Sequence, residues 1–219
     1  MKKPLMLVLV LGMLFGGFWY SRQSARVPSE PVNGLPWQIE QLAGGYTRVF
    51  GLTPGRDSIQ TAIKVLGDDY KLAIIVNDRQ APGLELFYSR FVAGVFRGKL
   101  ILGTDIKADR MMALIEAATK FKYMENGSRK YQISKNDLDF VYQQIVTSLT
   151  FIPGVALDNE NVVNRFGRPA ETLKDSAGNL HLLYPEKGLD VVIIEKGKDI
   201  LQYVMPGDFS KLKIPLTER

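Results

Sequence analysis

The chain repeats itself, and a repeat limits the possible folds more tightly than any single motif, because each copy has to bury the same faces. Leu52-Thr53-Pro54-Gly55 and Phe151-Ile152-Pro153-Gly154 each stand before a short amphipathic segment that stops at a glycine. In the first segment Ile59, Ala62, Ile63 and Leu66 fall at helical spacing, Asp57 or Ser58 is placed to cap, and Gly67 closes. In the second Asp158 caps, Val162, Val163 and Phe166 form the stripe, and Gly167 closes. The period then drops to two. Leu84–Tyr88 (LELFY) and Leu180–Tyr184 (LHLLY) align without a gap, each setting two leucines and a tyrosine on one strand face. Further strands follow: Val92–Phe96, a turn at Arg97-Gly98-Lys99 and Leu100–Leu102 in the first copy. In the second they are Leu189–Glu195, a turn at Lys196-Gly197-Lys198 and Ile200–Met205. The expectation is an α+β protein of two repeated units, 37–105 and 151–219, each made of short helices packed on a three-stranded antiparallel meander.

Residues 106–150 read as a helical connection. Asp105 is placed to cap a helix carrying Met111, Leu114, Ile115, Ala118 and Phe121 and ending near Asn126-Gly127. Ser134 with Asp137 resembles a capping box, opening a second helix with Leu138, Val141, Tyr142, Ile145 and Leu149 on one face. Ahead of the first unit, Trp37, Tyr46, Val49 and Phe50 are expected to pack as core, with Thr47–Phe50 as a first strand on the sheet.

The amino terminus carries an address. Pro4 to Tyr20 contains no charged side chain, and its length is close to the ~20 residues that cross a bilayer. Lys2 and Lys3 precede it, Phe18-Trp19-Tyr20 sits where headgroups would lie, and Gln23-Ser24-Ala25 is a poor cleavage site. The expectation is a signal-anchor at 1–20, crossing an inner membrane once through residues 4–20, a Ser- and Pro-rich tether at 21–36, and the bulk of the chain in the periplasm. The alternative is cleavage and release to the periplasm.

A helix, a closing glycine, a strand with leucine and tyrosine and a hairpin into a hydrophobic strand is similar to the small α+β domain of the SmpA/OmlA lipoproteins of outer-membrane assembly. The same shape occurs in β-lactamase inhibitor proteins. Copy two carries the resemblance best, through Ala156 to Gly167-Arg168-Pro169, Leu180–Tyr184, Gly188 and Val191-Val192-Ile193. It implies a fold without catalytic residues and a habit of binding proteins. One departure stands out: those lipoproteins carry a lipobox cysteine, and this chain has no cysteine.

Zero cysteines exclude disulfides, thiolate chemistry and cysteine metal sites, and a single histidine excludes any two-histidine metal site. By strand alternation that histidine, His181, faces away from Leu180, Leu182 and Tyr184, with Glu85 as its counterpart, which reads as a solvated outer-face position. Asp68-Asp69 reads as a turn and Asp137 with Asp139 as a helix start. No catalytic residue, cofactor or metal is expected. Tyr123, Arg129, Lys130 and Tyr131 interleave ring and base, but the envelope address argues against nucleic acid. Arg97, Lys99, Lys196 and Lys198 form two basic points for an acidic partner or anionic lipid, consistent with a net charge of +5. The functional expectation is a non-catalytic envelope protein that binds another envelope protein. The alternatives are a small-amphiphile binder using a cleft between the units and an envelope hydrolase using His181.

Overall fold

The computed structural model of the chain describes residues 33–78 and 80–217. In chain order its strands are β1 (Glu40–Leu42), β2 (Tyr46–Arg48), β3 (Lys71–Asn77), β4 (Gln80–Ala93), β5 (Phe96–Thr104), β6 (Lys120–Tyr123), β7 (Arg129–Gln132), β8 (Val146–Pro153), β9 (Glu171–Lys174), β10 (Leu180–Tyr184), β11 (Leu189–Ile193) and β12 (Ile200–Val204). The helices are α1 (Ile59–Leu66), α2 (Ala108–Glu116), α3 (Leu138–Tyr142), α4 (Asn159–Phe166) and α5 (Ser210–Thr217). A 10-stranded antiparallel sheet runs in the order β6-β7-β3-β4-β5-β8-β12-β11-β10-β9, and β1 pairs with β2 apart from it. The class is α+β. The expected anchor at 4–20 and most of the tether lie outside the described residues, among which no helix is long and apolar enough to cross a membrane.

Both glycine-closed segments are helices and stop in the same way. Ser58 accepts from the Thr61 amide at the start of α1, and Asp158 accepts from the Glu160 amide at the start of α4. Gly67 (φ 91°) and Gly167 (φ 88°) then take a left-handed conformation that a Cβ would strain. The tyrosine of each strand pentad ties its helix end to the sheet: Tyr88 Oη donates to the Gly67 carbonyl at 2.9 Å, and Tyr184 Oη to the Gly167 carbonyl at 3.0 Å. Ile59 and Ala62 of α1 share one core cluster with Val162 and Phe166 of α4 and with the inward side chains of both strand pentads. Both helices therefore cover the same face of the sheet.

The strands depart from the sequence reading in several places. Each half supplies four antiparallel strands where three were expected, β3-β4-β5-β8 and β9-β10-β11-β12. In the first half Leu84–Tyr88 and Val92 belong to one long strand, and the hairpin turns at Gly94-Val95, where Ala93 faces Phe96. Arg97-Gly98-Lys99 thus lies inside β5 rather than in a turn. Gly98 is needed there because the Ile152 carbonyl and the Phe151 ring pass so close that a Cβ would collide with both. Lys196-Gly197-Lys198 does lie in the connection between β11 and β12.

The helical connection is only partly helical. α2 ends at Glu116, and the residues expected to prolong it form the β6–β7 hairpin, which pairs with β3. Around the turn, Phe121, Tyr123 and Tyr131 alternate with Lys120, Lys122 and Lys130 at period two, and β3 offers them backbone partners that an isolated helix lacks. Ser134 makes no side-chain cap bond, α3 covers only Leu138–Tyr142, and Leu149 sits in β8, so a unit boundary at 150/151 would cut a strand. The aromatic residues ahead of the first unit pack on the core without joining the large sheet. Trp37 packs against Phe96 and Phe166, while Phe50, held at φ 54°, sets its ring edge-on to Phe91, Phe151 and Tyr203.

The described residues form one compact unit, and its two halves meet at β8 and β12. Leu149 faces Tyr203, Thr150 faces Gln202 and Phe151 faces Leu201. All four apolar members of these pairs are buried on the helix-covered face. The seam expected to hold a cleft for an amphiphile is closed by backbone pairing and packed side chains.

Candidate functional site

The face of the sheet turned away from α1 and α4 differs between the halves. In the second half α5 lies over it, with Leu212 and Leu216 packed against a small cluster of Leu183, Val204 and Phe209. Lys213 of α5 pairs with Glu171 on β9, and Lys211 reaches Asp105 at 3.4 Å. Beneath this cover His181, Leu183, Asp190, Val192 and Val204 are all buried.

His181 is therefore not a solvated residue, as strand alternation suggested; it is 6% exposed. The alternation is right, but the far face of this half is itself an interior. His181 Nδ1 and Asp190 Oδ2 are 2.7 Å apart, and Asp175 Oδ2 lies 3.7 Å from Nε2. Burial works against a proton on the ring, yet hydrogen bonding to Asp190 and the charges of Asp190 and Asp175 outweigh it, and the His181 pKa is raised. Asp175 is held below its ordinary range, first by the Asn179 side-chain hydrogen bond. Nε2, the nitrogen a hydrolase would use as base, is buried and makes no hydrogen bond among the described residues. The arrangement is that of a buried imidazole held by Asp190 with the Asp175 carboxylate beyond its other nitrogen, joining β10, β11 and the β9–β10 loop.

In the first half no helix of the described residues packs on the same face. Lys71 on β3, Arg97 and Lys99 on β5, Lys120 and Lys122 on β6 and Lys130 on β7 all point to it, as their cross-strand partners require. Among the described residues none of these cations is in an ion pair. Lys122 stands directly opposite Lys130. The strands β6, β7, β3, β4, β5 and β8 carry one carboxylate, Glu85, whose pKa is raised by burial and pulled back by Lys130. Half-buried Phe87, Ile101, Ile75 and Ile152 lie among the charges. At the outer rim all of β6 is exposed, with Phe121 (52%) and Tyr123 (73%) facing the helix side.

Of the residues singled out from sequence, Arg97, Lys99 and Lys198 come together with Arg90 around one hollow beside Ile152, and Lys196 does not line it. The two expected basic points are thus one basic margin of the open face. Lys120 and Lys122 were missed because their segment reads as helix, Lys71 was not singled out, and Lys130 was weighed only for nucleic acid; the period-two alternation of Lys120-Phe121-Lys122-Tyr123 was the available signal. No protein-family model, curated protein or solved structure matches the chain.

Proposed function

We propose that the chain is a non-catalytic envelope protein, anchored in the inner membrane through residues 4–20, that binds another envelope protein on the open face of its first half. The observation that carries this reading is the inequality of two corresponding faces: one is sealed by the chain's own helix, while the other keeps unpaired cations around half-buried apolar side chains. On this reading the halves descend from one SmpA/OmlA-like unit by duplication. Aligning the pentads Leu84–Tyr88 and Leu180–Tyr184 and following the pairing outward makes Leu149 correspond to Leu201, Thr150 to Gln202 and Phe151 to Tyr203. The observed β8–β12 register pairs Leu149 and Phe151 each with the counterpart of the other and Thr150 with its own counterpart, as a two-fold relation centred on that pair demands. A photoreactive residue at position 122 or 130 is expected to capture an envelope protein in intact cells, while one at position 196 does not. Recovery of the full-length chain from cytosol, or no capture from either open-face position, would overturn the proposal.

A further inference from the structure

We infer that the open face takes an acidic amphipathic helix of the partner, laid on the first half as α5 is laid on the second; this rests on the reading of the chain as a protein-binding module and names what it binds. The chain itself shows how such a face is closed. α5 sets Leu212 and Leu216 against apolar strand residues, and its lysines reach carboxylates at Glu171 and Asp105. In the first half the polarity is reversed, because the sheet supplies the cations. Lysines placed directly across from one another repel unless negative charge lies over them, and Lys122 and Lys130 have none within an ion pair's reach among the described residues. A helix with leucines on one side would meet Phe87 and Ile101, while acidic residues along its flanks would reach Lys71, Lys99, Lys122 and Lys130.

Charge decides among the possible occupants. α5 is already used and is basic, so the α5 of a second copy has the wrong sign. Residues 1–32 bring Lys2, Lys3, Arg22 and Arg26 against Glu30 alone. Two open faces brought together would set lysine against lysine. An acidic segment from another protein satisfies both the apolar and the charged parts of the surface. From β6 to β8 the face spans about 24 Å at ~4.8 Å per strand, which a helix of about 16 residues would cross.

The test titrates the full-length chain with two synthetic peptides of about 16 residues and identical Leu/Glu composition. One has leucines at helical spacing, and the other alternates strictly, as strand addition along β6 would prefer. The expected result is about tenfold tighter binding of the helical pattern, with helix gained on binding. K122E combined with K130E should weaken it about tenfold, whereas K196E, outside the basic margin, should leave it within about twofold. Equal or tighter binding of the alternating peptide would overturn the inference in favour of edge addition. A preference for phosphatidylglycerol over phosphatidylcholine vesicles that K122E/K130E abolishes, with neither peptide bound, would make the face a lipid contact instead. If crosslinks from position 122 persist in cells while both peptides fail, partner binding stands and the helix falls.

Discussion

Glu85 and His181 hold the same place in their two strand pentads, and their surroundings could hardly differ more. Around His181 the sheet is covered on both faces, so an ionisable side chain survives only by pairing, and Asp190 stands 2.7 Å away. Glu85 lies on a face without a covering helix and relies on solvent and the nearby Lys130. Next along the strand, Leu183 is sealed while Phe87 is half-exposed. The difference teaches that the shared helix, closing glycine and tyrosine tie settle only one side of the sheet. What the other side becomes depends on segments particular to each half, α5 in one and the β6–β7 hairpin in the other.

Substitutions at corresponding positions are the sharpest way to break this contrast. Asp190→Ala strands a buried imidazole and should cost about 3–5 kcal/mol in urea unfolding, whereas Glu85→Ala should stay within about 0.5 kcal/mol. Equal losses would mean that the two faces are not unlike after all. Next in size is Gly98→Ala, expected to cost about 1–3 kcal/mol because the new methyl meets the β8 backbone and Phe151. Gly197→Ala, whose methyl meets only the Ile194 side chain, should cost under about 1 kcal/mol; similar values would return Gly98 to a turn.

The pH dependence distinguishes the halves by its window, with a slope of at most about 1.4 kcal/mol per pH unit from each group. His181 is raised above its ordinary 6.5, so the folded chain keeps a proton that the unfolded chain loses. Its contribution is complete below that value and fades as pH rises through the folded pKa. Glu85 is raised above 4.5 and gives a decline of the same sign that begins at lower pH. Asp175, held below 3.8, acts in the opposite sense, losing its contribution as pH falls. Stability curves of His181→Gln and Glu85→Gln should each flatten one window and leave the other. The two tyrosine ties should behave alike: Tyr88→Phe and Tyr184→Phe should cost about 1 kcal/mol each, and a large inequality would show that the two helix ends are not held alike.

Much of the helix side of this protein was legible in the order of its residues. Ser58, Gly67, Asp158 and Gly167 act where local spacing put them, because capping and left-handed glycine are decided within a few residues. The pentad ending at Tyr184 forms a strand with the expected bounds, since alternation over a buried face has one workable register. The failures involve long-range partners. Arg97-Gly98-Lys99 has turn composition, but Phe151, far along the chain, requires the glycine inside a strand. Residues 120–132 carry helix-compatible and strand-compatible spacing at once, and the free edge of β3 chose between them. Of the basic margin only Arg97, Lys99 and Lys198 were marked as a contact for an acidic partner, and Lys120 and Lys122 of the hairpin were not, because their common face exists only once six strands are in order.

By itself the sequence determined the two capped helices, their closing glycines, the alternating pentads and the absence of thiol chemistry, all of which follow from local backbone preference or from composition. Tertiary structure decided that β8 and β12 would join the halves into one sheet, that His181 would be enclosed with Asp190, and that lysines of several strands would share one face. The reason is physical. Alternation tells which side of a strand a residue occupies, but whether that side meets water, a helix or a partner depends on what the rest of the chain brings to it.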